Sequence, residues 1–75
     1  KILYALENEG RYSILIFNVR GQLVKNLISK FGQIGNYEEK WDGTNNSGRK
    51  VVSGVYICRL ETMNGIVDNK MILLK

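Results

Sequence analysis

The chemistry available to this 75-residue chain is thin: seven carboxylates, one thiol and no histidine. The carboxylates are Glu7, Glu9, Glu38, Glu39, Asp42, Glu61 and Asp68. Glycoside hydrolysis needs two of them facing each other across a cleft, about 5 to 9 Å apart, and a chain this short can hardly enclose one. Glu38 and Glu39 are adjacent, so on a strand they point to opposite faces. Cys58 has no histidine to take its proton. It lies in the apolar run Val55-Tyr56-Ile57-Cys58, where a small buried hydrophobe belongs. A single cysteine forms no internal disulfide. With no activated nucleophile and no phosphate-cradling glycine loop, the chain reads as non-catalytic and without a cofactor.

Two groups of residues could bind rather than react. Asp42, Thr44, Asn45 and Asn46 offer oxygens to Ca²⁺, but an EF-hand loop needs Gly at its sixth position and a carboxylate at its twelfth. Ser47 and Ser53 stand there, so the match fails. Asx side chains bonding to their own turn are the simpler account. Trp41 could stack on a sugar, yet a lone Trp in a small β-domain is more often a core anchor. The net charge of +4 is spread along the chain, with only Arg49 and Lys50 adjacent among the basic residues. Nucleic-acid binders cluster such residues or interleave them with stacking aromatics, so nucleic acid is not an expected partner. The longest apolar runs, 14–17 and 71–74, are far short of the roughly 20 residues of a membrane span.

These residues have to be positioned by strands and turns. Ile2-Leu3-Tyr4-Ala5-Leu6 is a short apolar run. Tyr12-Ser13-Ile14-Leu15-Ile16-Phe17 is apolar on both faces, as a central strand should be. Asn18-Val19-Arg20-Gly21 has the residues of a type I turn. The spacing of Leu23, Val24, Leu27, Ile28 and Phe31 fits one face of a helix at least as well as a strand, with Gly32 as its cap. Tyr37, Glu39 and Trp41 share a face of a further strand, 42–50 is turn chemistry, and Tyr56, Cys58 and Leu60 share a face of the strand 54–60. Met63-Asn64-Gly65-Ile66 predicts a type I′ hairpin centred on Asn64-Gly65, with positive φ at both residues. A last strand runs from about Ile66 to Leu74. No proline interrupts any run. The pattern predicts an all-β, Ig-like antiparallel sandwich of about seven strands.

The segment from Tyr12 through Asn18, Gly21, Val24 and Leu27 is followed in order by Gly35, Trp41-Asp42-Gly43, Gly48, Val51, Ser53-Gly54-Val55-Tyr56 and Lys70-Met71 to Lys75. In order and spacing it resembles the C-terminal sorting domains of the type IX secretion system and their relative, the Ig-like domain of the flagellar hook-capping protein FlgD. That resemblance spans nearly the whole chain, and it puts residues 22–28 in a strand, against the helical reading. It departs at Glu39, where the family has an apolar residue, and at Cys58, where an aromatic is commoner. No Asn-Pro segment precedes the first strand. The resemblance implies a single Ig-like C-terminal domain over residues 1–75, cut from a larger secreted protein that begins upstream.

It further implies a secretion and cell-surface sorting signal. The partners would be outer-membrane secretion machinery and the domain's own passenger, with weak self-association in addition. Gly54, Tyr56, Lys70 and Lys75 are the residues carried over for recognition, and Trp41, Asp42 and Gly43 the structural anchors. Tyr56, two residues before Cys58, also resembles the tyrosine corner of Ig domains. The other readings are an accessory domain of a secreted hydrolase, structural or carbohydrate-contacting, and an assembly module like the hook-capping domain.

Overall fold

The computed structural model describes residues 1–74, and among them the regular structure is entirely β. The strands are β1 (Ile2–Leu6), β2 (Gly10–Asn18), β3 (Leu23–Gly32), β4 (Gly35–Glu39), β5 (Gly54–Thr62) and β6 (Gly65–Leu73). They form a two-stranded sheet, β1–β4, and a four-stranded sheet ordered β3–β2–β5–β6, with every pairing antiparallel. This is the Ig-like sandwich expected, with six strands rather than about seven. The stretch between β4 and β5 explains the difference. Its turns are closed by side chains, and its one ladder contact is the isolated bridge between Thr44 and Lys50.

β2 takes the central place its sequence predicts, between β3 and β5. Tyr12, Ile14 and Ile16 alternate into the core, where Ile16 is 0% exposed. Tyr56 and Cys58 of β5 and Leu6 of β1 complete the buried cluster. The small sheet closes over them through aromatic rings. Tyr4 lies opposite Tyr37 in the β1–β4 register, and their rings stack at 5.3 Å. Both rings also tilt against Tyr12 of the large sheet. Glu39, at the end of β4 opposite Ile2 of β1, is half-buried rather than buried, and β4 is an edge strand, so its carboxylate is not sealed in the core.

The segment with helical spacing is the strand β3. Its register against β2 slips twice. Ile14 pairs with Ile28 and Leu15 with Asn26, which leaves Leu27 as an extra residue; Ile16 pairs with Lys25 and Phe17 with Leu23, which leaves out Val24. Each slip is a β-bulge, and an added residue inverts the inward-outward alternation that follows it. Two inversions turn a period of two into the doublets Val24-Lys25 and Leu27-Ile28, all half-buried. A bulged strand thus imitates a helix in its apolar spacing.

The β5–β6 hairpin differs from expectation by one residue. Thr62 pairs with Gly65, so the loop residues are Met63 and Asn64, not Asn64 and Gly65. Among the described residues no non-glycine has positive φ, so this is not a type I′ turn. The Asn64 N–H donates to Thr62 Oγ1 at 3.1 Å, and the positive φ of 139° falls on Gly65 alone. A side-chain bond from the strand end has supplied what a left-handed Asn would otherwise have provided.

Candidate functional site

The loop 42–50 is organised by its own Asx side chains. Asp42 Oδ1 accepts the Thr44 N–H at 3.1 Å and the Thr44 hydroxyl at 2.6 Å. Those two bonds, with Lys25 nearby, hold the Asp42 carboxyl below the usual carboxylate range. Asn45 Oδ1 accepts the N–H groups of Ser47 and Arg49, both at 3.0 Å, and the Asn45 carbonyl accepts Gly48 N–H at 2.9 Å. Gly43 is buried, has φ of +78°, and its carbonyl takes the Val51 N–H. Asp42 Oδ1 and Asn45 Oδ1 are therefore engaged in shaping the turn. No cluster of three or more His, Cys, Asp or Glu suited to a metal occurs among the described residues.

The same loop covers an edge of the large sheet. Asn46 N–H donates to the Val24 carbonyl at 3.1 Å, and its side-chain oxygen accepts the Asn26 N–H at 2.9 Å. Lys25 Nζ donates to Thr44 Oγ1 and to the Asn45 carbonyl, both at 3.2 Å. β3 thus has outer backbone groups paired with a loop, a usual way of blunting an edge strand.

Trp41 and Tyr56 form the anchor between loop and core. Their rings meet edge-on at 5.1 Å and 71°, and the Trp41 indole N–H donates to the Thr44 carbonyl at 2.8 Å. The Tyr56 hydroxyl donates to the Val52 carbonyl at 2.6 Å, four residues upstream. A buried tyrosine bonded to backbone just ahead of its own strand is the geometry of a tyrosine corner. Trp41, Asp42, Gly43 and Tyr56 come together here, all four held by internal bonds or packing.

The other recognition candidates lie elsewhere. Gly54 opens β5 opposite Leu73. Lys70 is exposed on β6 opposite Ile57, and Lys75 is outside the described residues. The family model of the FlgD Ig-like domain matches residues 3–65, from β1 through the loop into the start of β6.

The chain belongs to the FlgD Ig-like domain family. The family match takes in the Trp41–Tyr56 anchor and the loop 42–50, while Lys70 lies beyond its matched residues. No curated protein and no solved structure matches the chain. Within this FlgD Ig-like frame, three features escaped sequence reasoning. The turn Asn18–Gln22 repeats that of Asn45–Arg49, and the recurrence of Asn-x-x-Gly was open to view in the sequence. The bulges of β3 left no local signal. Between β1 and β6 runs a groove of about 460 Å³ whose lining includes Tyr4, Cys58, Leu60, Val67 and Met71, residues far apart in the chain. Burial, and then the charge of Asp68, push the Cys58 thiol up, which lowers its thiolate fraction.

Proposed function

We propose that this FlgD-like Ig domain is non-catalytic and serves as a secretion and cell-surface sorting signal for a larger exported protein, read by type IX outer-membrane machinery. The observation that carries the reading is β6. It is the uncovered edge of the four-stranded sheet, exposed from Gly65 to Lys70, and it presents Lys70 on a folded support. An exposed strand edge offers a receptor both backbone hydrogen bonds and alternating side chains. The chain-wide order of motifs shared with sorting domains supports the same assignment. Trp41 and Tyr56 act in it by holding the fold.

A reporter fused to residues 1–75 in a host with type IX secretion tests this, beside a fusion lacking residues 70–75 and one carrying Lys70→Ala. Export of the intact fusion with loss in the truncated one is the expected result, and reduced export of Lys70→Ala would place the signal on the side chain. Retention of the intact, folded fusion in the periplasm would overturn the reading and leave the domain an accessory to its passenger.

A further inference from the structure

The two outer edges of the large sheet are treated differently: Asn46 covers β3, whereas no described residue pairs with the outer edge of β6. That open edge reads Ile66-Val67-Asp68-Asn69-Lys70-Met71-Ile72, which is symmetric in character about Asn69. Two apolar residues stand at each end, with an acid and a base on either side of the centre. The outer-face apolar residues are not in the core. Ile66 is 58% exposed and Ile72 65%, both on the outer face, and Val67 is 56% exposed on the inner one.

We propose that β6 is a homodimer interface, pairing antiparallel with β6 of a second copy across a two-fold axis at Asn69. Asp68 then meets the partner's Lys70, Val67 the partner's Met71, and Ile66 the partner's Ile72, each contact occurring twice as isologous symmetry requires. Residues of the same parity meet, so the outer and inner faces of both sheets remain continuous, as the pleat demands. The neighbouring registers fail. An axis at Asp68 sets that carboxylate against its own copy, and an axis at Lys70 does the same with two ammonium groups, both unfavourable as directly opposed like charges. Of these three registers, only the one centred on Asn69 makes every charged pair opposite. Within the chain Asp68 already accepts Arg59 Nε at 2.8 Å and Nη2 at 3.1 Å. Lys70, opposite Ile57, gains in the dimer the acid that its own sheet does not set across from it. A single strand pair lies at the small end of specific interfaces, so dimer and monomer exchange and the dimer population rises with concentration. The dimer would cover the same edge and the same Lys70 that the export reading gives to a receptor. The two would therefore compete for β6, while the dimer's own test needs no export host.

Charge exchange decides it. Sedimentation velocity from micromolar to millimolar chain should show the wild type moving toward a dimer, while Asp68→Lys and Lys70→Asp each remain monomeric. An equimolar mixture of those two variants should dimerise, because both lysines flanking Asn69 in the first then face carboxylates flanking Asn69 in the second. In the wild type, mixed isotope labelling should give cross-chain contacts between Ile66 and Ile72, a readout that needs no variant to fold. A wild type that stays monomeric throughout, single variants that dimerise as well as it does, or a dimer without the Ile66–Ile72 contact would each overturn the proposal.

Discussion

The hydroxyl of Tyr4 lies 2.7 Å from that of Tyr12, and this hydrogen bond joins the small sheet to the large one. Tyr12 is 3% exposed and Tyr4 stacks on Tyr37, so the pair forms the polar centre of an aromatic contact between the layers. Burial first, then the bond to Tyr12 and nearby negative groups, push the Tyr4 phenol well above its ordinary value. A folded-state pKa raised above the unfolded one stabilises the fold fully below the unfolded pKa, about 10 for tyrosine. That contribution is lost as pH rises beyond it. Urea titrations across alkaline pH should therefore show stability falling above about pH 10, and Tyr4→Phe should flatten the fall while costing about 0.5–1.5 kcal/mol at neutral pH. Equal alkaline slopes for the two proteins would remove this role from Tyr4.

Gly32 ends β3 directly over the same contact. A Cβ there would lie 2.6 Å from Tyr12 Cε1 and 2.7 Å from Leu6 Cδ1. Both neighbours are buried, so neither can step aside into solvent. Gly32→Ala should cost about 1–3 kcal/mol through overpacking, read as a lower urea midpoint at unchanged slope. Gly48→Ala is the useful contrast. Nothing lies within 4 Å of its added Cβ, and its cost comes from a φ of +82°, about 1–2 kcal/mol.

How much of this was legible depended on whether a signal was local. The strands β2 and β5 were readable because their alternation and β-branched content are unbroken. Trp41 was readable as an anchor and Tyr56 as a corner tyrosine, but their edge-on contact joins residues on either side of the loop and carried no local signal. β3 was readable as a strand only through the family resemblance over 22–28, not from its own spacing, since its two bulges depend on the register against β2, which no window of its own residues encodes. The β5–β6 turn was placed one residue late because Asn-Gly favours a left-handed pair, whereas Thr62 Oγ1 holds Asn64 in ordinary backbone. The open state of β6 could be read only after the sheet order was known. Its symmetric sequence was visible beforehand, but not its position at an edge.

Asn18 and Asn45 build the same turn at two places. Asn18 Oδ1 accepts the N–H groups of Arg20 and Gln22, and its carbonyl takes Gly21 N–H at 3.0 Å, bond for bond as at Asn45. The turns differ in what rests on them. The Asn18 turn only closes the β2–β3 hairpin, while the Asn45 turn also carries Asn46 onto β3 and receives Lys25. Asn18→Ala should lower stability by about 1–2 kcal/mol, the net value of one or two hydrogen bonds. Asn45→Ala should lower it by as much and, in addition, speed hydrogen exchange at Asn26, whose N–H is held by Asn46. Protection at Asn26 that survives Asn45→Ala would show the loop's cover of β3 to be independent of its turn.

Tyr56 and Lys70 separate folding from recognition. Tyr56→Phe keeps the ring against Trp41 and removes only the hydroxyl bond to Val52. That should cost about 1 kcal/mol, with the Val52 carbonyl free to take water because Val52 is exposed. Lys70→Ala removes an exposed ammonium from an edge strand, a change that should move stability by less than about 0.5 kcal/mol. On the sorting reading, the surface-delivered fraction of a fused reporter should follow the opposite order. Tyr56→Phe should be exported like the wild type at temperatures where it is folded, whereas Lys70→Ala should be exported less despite its intact fold. Denaturation midpoints and surface fractions measured on the same two variants decide the matter. If export falls in step with stability for both, the contribution of β6 is to the fold, and the receptor reads another part of the domain.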